Sequence, residues 1–287
     1  MGGAGVRVSA SEVRALLDRH GLAARRDLGQ NFLVDAGLAE RLVDLAGVEA
    51  DGVVLEIGTG LGILTRALVA RGARVVSIEV DAGLVRALRA DALLPEGVRL
   101  IHGDALDLDL GALVSEQGAN ARVVANLPYS VSAPLLRRLL DLRDRVACTC
   151  VMLQRDVALR LLAAPGSRAY GSLAVLHRLT VALERAMDLS PRCFYPVPGV
   201  RSTFVRMRPL PACGLSQRDL GELEALVRAA FSKRRKTLAN ALRGTPFACD
   251  DALLARAGVA AGVRAEALAP ETFVALARAL GLLGGAS

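Results

Sequence analysis

The sequence predicts an α/β fold in which a doubly wound parallel sheet is followed by a small, all-α C-terminal domain. Short runs rich in Val, Ile and Leu alternate with amphipathic stretches over residues 53–153, which is the pattern of buried parallel strands joined by helices. Near Pro209 this alternation stops and only helical patterns follow. With 53% hydrophobic residues in a chain of 287, a core can be buried without disulfides.

The predicted elements follow from these patterns. Six strands are expected, at 53–58, 74–80, 98–104, 123–127, 146–153 and 203–208. Helices between the first five are expected at 61–71, 82–93, 110–117 and 134–142, and C-terminal helices at 217–231, 235–243, 250–257 and 270–280. Pro209, Pro211 and Gly214 indicate a linker. We therefore expect an N-terminal extension with a helix at 1–24, an α/β domain at 25–211 and an all-α domain at 212–287.

Charge and cysteine content limit the class of protein. The net charge is +7 and the pI about 9.7, which favours a polyanionic partner such as nucleic acid. Codon bias is an alternative explanation, because Lys233 and Lys236 are the only lysines among 36 basic residues. The five cysteines show no metal-ligand spacing, so we expect reduced thiols in the cytoplasm and no metal site. No signal-peptide pattern or membrane-spanning apolar run is present, so no membrane association is expected.

Three turns with binding character follow successive predicted strands. Gly58, Gly60 and Gly62 come after the first strand, where glycines at a helix start let a ligand approach the backbone closely. Glu79 ends the second strand, 21 residues after Gly58, where a carboxylate can bind both hydroxyls of a ribose. Asp104 ends the third strand and can accept a hydrogen bond from an adenine amino group. Since ligands of such sheets bind at the carboxyl ends of strands, these turns predict a nucleoside-containing cofactor.

The fourth predicted strand ends in the tetrapeptide Asn126-Leu127-Pro128-Tyr129. The amino nitrogen of adenine is a poor nucleophile because its lone pair is delocalised into the ring, and two acceptors aimed at its N–H groups favour a tetrahedral nitrogen. The Asn126 side-chain oxygen and the carbonyl of Leu127 or Pro128 are candidate acceptors. Pro128 fixes the turn, and Tyr129 offers a ring on which an extruded base can stack. Methyl transfer needs alignment more than acid–base catalysis, so the tetrapeptide predicts methylation of an adenine amino group with S-adenosylmethionine (SAM) as cofactor.

A longer series of motifs resembles the KsgA/Dim family of ribosomal RNA adenine dimethyltransferases. The resemblance covers about residues 25–245, and besides the tetrapeptide it includes Arg26–Leu33, Met152–Ala158, Tyr170-Gly171, Phe194–Pro198 and Phe231–Leu238. It implies a Rossmann-like class I methyltransferase sheet and SAM-dependent dimethylation of two adjacent adenosines in the 3′ hairpin of small-subunit (16S) rRNA. The implied partner is a maturing small ribosomal subunit, and we expect the enzyme to act as a monomer.

The resemblance also implies roles for particular residues. Phe194 would face the target base opposite Tyr129. The four adjacent cations Lys233, Arg234, Arg235 and Lys236 repel one another unless an anion is near, and we expect them to bind RNA phosphates. SAM would be bound by residues of the N-terminal motif, the glycine turn and the strand ends, namely Gln30, Asn31, Leu33, Gly58, Gly60, Gly62, Glu79, Asp104 and Asn126.

Departures from the family pattern and three alternatives complete the prediction. Thr59 stands where the family often has Pro, Asp156 replaces a commoner Glu, and Arg201 replaces a commoner Asp. Erm methyltransferases of large-subunit rRNA usually read Asn-Ile-Pro-Tyr, so Leu127 and the segment 232–236 favour the KsgA type. A non-catalytic ribosome-assembly or transcription factor is disfavoured by the intact tetrapeptide. An NAD oxidoreductase is disfavoured because the glycine spacing is G-x-G-x-G and not G-x-G-x-x-G.

Overall fold

The computed structural model describes residues 10–25, 27–116, 120–211 and 214–283. Parts of the sequence predictions therefore lie outside the described residues: the first nine residues of the N-terminal extension, Arg26 of the N-terminal motif, Gln117 at a predicted helix end, and residues 212, 213 and 284–287 of the predicted all-α domain. The chain folds into two compact units, the first formed by residues 1–158 with 184–209 and the second by residues 159–183 with 210–287.

This division differs from the continuous domains expected from the sequence. The N-terminal helix groups with the sheet, and residues 159–183 group with the C-terminal helices. The reason is packing between distant parts of the chain: a helix at Ser172–Thr180 contacts the helices Gln217–Phe231 and Pro270–Ala279. Packing over such sequence distances leaves no signal in local periodicity.

The first unit is built on two sheets. The strands are β1 (Phe32–Leu33), β2 (Val53–Ile57), β3 (Arg74–Glu79), β4 (Arg99–His102), β5 (Ala121–Asn126), β6 (Val146–Gln154), β7 (Val181–Leu189), β8 (Phe194–Tyr195) and β9 (Ser202–Pro209). Seven of them form a sheet with the order β4-β3-β2-β5-β6-β9-β7, while β1 and β8 form an antiparallel pair.

The five strands from β4 to β6 in this order are parallel, as predicted, and β9 is antiparallel to β6. Every residue of β2 is buried, which explains its continuous apolar run. Because β2 pairs with both β3 and β5, the strand order reverses between β2 and β5. The carboxyl ends of these strands meet at this switch point, where doubly wound sheets bind their ligands.

The helices of the first unit are α1 (Ala10–Arg19), α2 (Ala36–Leu45), α3 (Ile63–Ala70), α4 (Ala82–Ala90), α5 (Leu110–Ser115) and α6 (Ser132–Leu140). Aspartates stabilise the starts of α2, α4 and α5 by accepting from their first-turn N–H groups. The predicted helix at 61–71 begins only at Ile63, because Gly60 and Gly62 adopt φ angles of +56° and +72°. A 3₁₀ turn, Pro191–Cys193, precedes β8.

The second unit is helical apart from residues 181–183, where β7 begins. The chain enters it within α7 (Arg155–Leu161), and α8 (Ser172–Thr180), α9 (Gln217–Phe231), α10 (Leu238–Leu242), α11 (Asp251–Arg256), a 3₁₀ turn at Ala265–Ala267 and α12 (Pro270–Ala279) follow. Ser216 and Asp219 form a capping box at the start of α9. In the core of this unit, the Phe231 ring lies 5.8 Å from Tyr170 and 5.9 Å from Phe273, centroid to centroid. No helix in the described ranges has both the length and the apolar character needed to cross a membrane.

Candidate active site

The glycine turn after β2 lies against the end of β3. The N–H groups of Gly58 and Thr59 donate to the carbonyl of Ile78 over 2.9 and 3.3 Å. Gly58 has a φ of +83°, and a Cβ at this position would lie 3.2 Å from the carbonyl oxygen of Asn126. Glycine is therefore needed where the turn passes the end of β5, and its bare backbone forms a cradle for a ligand.

Glu79, the last residue of β3, binds the glycine turn through its carboxylate. The two carboxylate oxygens accept from the N–H groups of Gly60 and Asp81, each over 2.9 Å. The Glu79 side chain is only 5% exposed, so burial raises its pKa, and the hydrogen bonds from Asp81 and Gly60 oppose that rise. A carboxylate has about four acceptor positions, so Glu79 can also accept from hydroxyl groups of a ligand.

Asp104 follows β4 and lines the same pocket as Glu79. Its Oδ1 accepts from the N–H of Leu106 over 2.8 Å, which fixes the orientation of the carboxylate. The side chain is exposed, unlike that of Glu79. Two carboxylates of different burial thus stand at neighbouring strand ends, as the sequence predicted.

The tetrapeptide begins at Asn126, the last residue of β5, and all four of its residues line the pocket. The Asn126 Nδ2 donates to the carbonyl of Asn31 over 2.8 Å, which sets the orientation of the side-chain amide. The Pro128 carbonyl accepts from the Val131 N–H over 3.3 Å and from the Ser132 Oγ over 2.9 Å, at the start of α6. The tetrapeptide is therefore held at both ends, by the N-terminal segment and by α6.

Tyr129 is partly buried and joined to β9. Its hydroxyl and the Oγ of Ser202 are 2.7 Å apart, and Ser202 is fully buried at the first position of β9. Burial raises the pKa of the Tyr129 phenol, so the ring is neutral at physiological pH. The hydrogen bond restricts the position of a ring that also lines the pocket.

The segment that precedes β1 in the sequence also lines the pocket. Gln30 bridges two parts of the chain: its Nε2 donates to Asp81 over 3.0 Å, and its Oε1 accepts from the Arg25 N–H over 2.8 Å. A Cβ at Gly29, whose φ is +64°, would lie 2.9 Å from the backbone nitrogen of Tyr129. The glycine thus allows this segment to pass directly over the tetrapeptide.

The pocket formed by these elements encloses about 870 Å³ of space, part of it open to solvent. The structure brings together most of the predicted site residues, namely Gln30, Asn31, Gly58, Gly60, Glu79, Asp104, Asn126, Leu127, Pro128 and Tyr129.

Three predicted site residues do not line the pocket. Leu33 and Phe194 face each other in the β1–β8 pair, and both side chains pack in a buried cluster that includes Phe204. Phe194 is 1% exposed, so its ring packs in the core of this structure. Gly62 belongs to the turn itself, where a Cβ would lie 2.5 Å from Leu94.

Sequence reasoning missed several pocket residues. Val131 and Leu135 at the start of α6 and Ile78 and Val80 at the end of β3 contribute apolar surface. Ile78, Val80 and Leu135 come from predicted elements, but nothing in the pattern shows which of their side chains face a pocket, and Val131 precedes the predicted helix at 134–142. Phe32 did carry a signal, since it directly follows Asn31 in the N-terminal motif.

The four predicted RNA-binding cations lie in the second unit, in the turn between α9 and α10. All four side chains are exposed. Arg234 also has a role within the unit, since its guanidinium donates to the Arg168 carbonyl over 2.8 Å and lies 3.7 Å from the Glu266 carboxylate. Within the described ranges it is the only one of the four that forms an ion pair.

The fold and the pocket define a class I SAM-dependent methyltransferase. SAM fits the residues present. The glycine turn leaves room for it beside β2, and Glu79 and Asp104 supply acceptors at the ends of β3 and β4. The Asn126 amide lies at the end of β5. Among the described residues, no group of three or more His, Cys, Asp or Glu side chains is arranged to hold a metal ion.

Comparison with known proteins identifies the family within this class. Residues 21–281 match the family described as ribosomal RNA adenine dimethylase, and the chain belongs to that family. It is 42% identical over 275 residues to the ribosomal RNA small subunit methyltransferase A of Rhodospirillum rubrum, covering 95% of this chain and 93% of that protein. It is 40% identical over 270 residues to the protein of the same name from Geobacter metallireducens, covering 92% and 98%.

Two solved structures have similar folds. A dimethyladenosine transferase from Plasmodium falciparum superposes with a TM-score of 0.71 at 23% identity, covering 85% of this chain and 96% of that one. The 23S rRNA methyltransferase ErmE superposes with a TM-score of 0.62 at 26% identity, covering 88% and 100%. The predicted fold class is confirmed by these likenesses.

Proposed function

We propose that the protein uses SAM to dimethylate the exocyclic amino groups of two adjacent adenosines in the 3′ hairpin of small-subunit rRNA. The observation that carries this proposal is the Asn126–Tyr129 tetrapeptide, which lines the pocket and whose Asn126 amide is oriented by the Asn31 carbonyl. The names of the relatives, which refer to the small ribosomal subunit, support this substrate.

The tetrapeptide has the acceptors that an amino group needs. Because the Asn126 Nδ2 donates to Asn31, its Oδ1 is the atom of the amide that can accept from an adenine N–H. The Pro128 carbonyl already accepts two hydrogen bonds at the start of α6. This favours the Leu127 carbonyl as the second acceptor over the Pro128 carbonyl. When bound, SAM supplies a methyl group on a positively charged sulfur, the electrophile for the amino nitrogen.

Tyr129 holds the base. Its hydroxyl is bound by the buried Ser202, so the ring is positioned before a base arrives. Stacking on an aromatic ring is worth about 1–3 kcal/mol per base, and it offsets part of the cost of extruding the adenine. The contact of Phe194 with the base stays a prediction, since its ring is 1% exposed in this structure.

The wider substrate is a maturing small subunit, contacted partly by the second unit. Lys233, Arg235 and Lys236 are exposed, and Arg234 already binds Glu266. We therefore assign phosphate contacts mainly to the first three. We propose that the enzyme acts as a monomer.

Large-subunit rRNA is the second candidate substrate, because ErmE has a similar fold. Its identity of 26% is lower than the 40% and 42% of the small-subunit relatives, which favours the small subunit. Incubation of unmethylated small and large subunits with labelled SAM separates the two: label in the small subunit alone supports the proposal, and label in the large subunit alone contradicts it.

The role of the tetrapeptide is tested by Asn126→Ala. Loss of one preorganised polar contact to the reacting group lowers kcat by about 10²–10³-fold in comparable sites, while RNA binding is expected to stay near that of wild type. Asn240→Ala is the matched control, since it removes an exposed amide from α10, outside the pocket. A near-normal rate for Asn126→Ala in single-turnover methylation would contradict the acceptor mechanism.

A further inference from the structure

The glycine turn is held by one contact that does not involve backbone atoms. Its backbone is bound at Gly58 and Thr59 by the Ile78 carbonyl and at Gly60 by Glu79. In addition, the Thr59 hydroxyl lies 2.6 Å from the Oγ of Ser77, on the adjacent strand β3. Thr59 is 4% exposed and Ser77 is fully buried, so water does not compete for this contact.

The contact between Thr59 and Ser77 is the first step of a chain that ends on a buried acid. The Ser77 Oγ donates to the Oε2 of Glu56 over 2.6 Å, and the Thr65 hydroxyl donates to the same oxygen over 2.6 Å. Glu56 and Ser77 are opposite each other in the β2–β3 register, and Glu56 and Thr65 are both fully buried.

While Glu56 is ionised it can only accept, and this fixes the direction of the hydrogen bonds between Thr59, Ser77 and Glu56. A serine hydroxyl has one proton to donate, and that of Ser77 is directed to Glu56. Ser77 must then accept from Thr59, so the Thr59 hydroxyl is the donor of the 2.6 Å contact. The buried carboxylate thus stabilises, through Ser77, a donor that belongs to the glycine turn.

We propose that the Thr59 hydroxyl is a positioning group for SAM, because its hydrogen bond to Ser77 holds the glycine turn in its cofactor-binding shape. Glycine backbone loses more conformational freedom on ordering than that of any other residue, and Thr59 stands between two glycines of the turn. With the hydroxyl present, the turn is ordered before SAM binds. Without it, part of the ordering has to accompany binding, and the affinity for SAM falls.

The test compares removal of the Thr59 hydroxyl with removal of the Thr65 hydroxyl, the other group connected to Glu56. Thr59→Val removes the hydroxyl at nearly constant volume, and Thr59→Ser keeps it. Thr65→Val removes the other hydroxyl that donates to Glu56, but Thr65 lies in α3 and not in the turn. It therefore reports what loss of a buried hydroxyl at this acid does to the fold alone.

We expect Thr59→Val to raise the Kd for SAM about three- to tenfold, the range for one neutral hydrogen bond, and Thr59→Ser to bind within about twofold of wild type. Ser77→Ala should match Thr59→Val, and the double variant should bind no more weakly than either single one, because all remove the same connection. Thr65→Val should lower thermal stability without changing the Kd, and exchange of the Gly60 amide hydrogen in the free protein should accelerate only in the Thr59→Val and Ser77→Ala proteins.

Equal Kd values for Thr59→Val and wild type would overturn the proposal, and so would an equal rise for Thr65→Val and Thr59→Val. If Thr59→Val does not fold, Ser77→Ala tests the same hydrogen bond from the other side of the contact. The inference rests on the SAM binding that the proposed function requires, but calorimetry needs no RNA. A failure to methylate small subunits would therefore leave the binding result intact and would count against the substrate assignment alone.

Discussion

Glu56→Gln replaces a fully buried carboxylic acid by an amide that cannot titrate. Burial raises the pKa of Glu56 from 4.5 to about 7, with the hydrogen bonds from Ser77 and Thr65 opposing the rise. The nearby Glu79 carboxylate raises it further, and Arg66 lowers it. Glutamine keeps a side-chain oxygen that can accept from both hydroxyls, so the substitution mainly removes the titration.

The sign of the effect follows from the direction of the shift. Because the pKa of Glu56 is higher in the folded protein than in the unfolded chain, its contribution to stability is present in full below about pH 4.5 and is lost as the pH rises to about 7. A shift of two to three pKa units corresponds to roughly 3–4 kcal/mol. Relative to Glu56→Gln, wild type should therefore lose up to roughly 3 kcal/mol between pH 4.5 and 8.

Urea unfolding of both proteins at half-unit pH intervals, followed by circular dichroism, measures this difference. Other titrating groups are common to the two proteins and largely cancel in the comparison. A difference in the free energy of unfolding that does not change with pH would refute the reasoning, since it would mean that Glu56 titrates alike in the folded and unfolded chain. A change of opposite sign would mean that hydrogen bonding outweighs desolvation.

Three further predictions concern the proposed sites. Glu79→Ala should weaken SAM binding by about 1–3 kcal/mol, from the lost hydrogen bonds to a charged acceptor; unchanged affinity in calorimetry would exclude the role. Replacing Lys233, Arg235 and Lys236 by Gln, with Arg234 retained, should reduce the salt dependence of RNA binding by about 0.9 per contact, the value for B-form duplexes. If the binding constant for RNA fell with salt concentration as steeply as in wild type, the turn between α9 and α10 would have no role in RNA binding. Phe194→Leu should lower the free energy of unfolding by about 1–2 kcal/mol without changing the methylation rate in single turnover; a tenfold lower rate would indicate that Phe194 contacts the base.

The parts of the fold that the sequence predicts are those with local causes. Strands β2, β3, β5 and β6 are recognisable as apolar runs because most of their residues are buried on both faces of the sheet. The residues at their ends, Glu79, Asp104 and Asn126, could be placed together because parallel strands end at one edge of the sheet. The glycine turn was predictable because it follows β2 at the same edge of the sheet. The helix after the turn, α3, begins two residues later than expected.

What the sequence did not reveal depends on contacts between distant segments. In β7 only the first and last residues are buried, so the strand lacks the alternation that would identify it. Phe194 belongs to a recognisable motif, yet its pairing opposite Leu33 turns its ring into the core. The hydrogen bonds from Thr59 to Ser77 and from Ser77 to Glu56 join residues that are 18 and 21 positions apart, and no spacing rule connects them.

Dimethylation of small-subunit rRNA adenosines through Asn126 is tested most directly by mass spectrometry of nuclease fragments of rRNA. The rRNA comes from a strain that lacks the enzyme and from the same strain carrying either the wild-type gene or Asn126→Ala. We predict two adjacent dimethyladenosines in the 3′ hairpin with the wild-type gene and unmodified adenosines in the other two strains. Full modification with Asn126→Ala, or methyl groups restored only in large-subunit rRNA, would contradict this assignment.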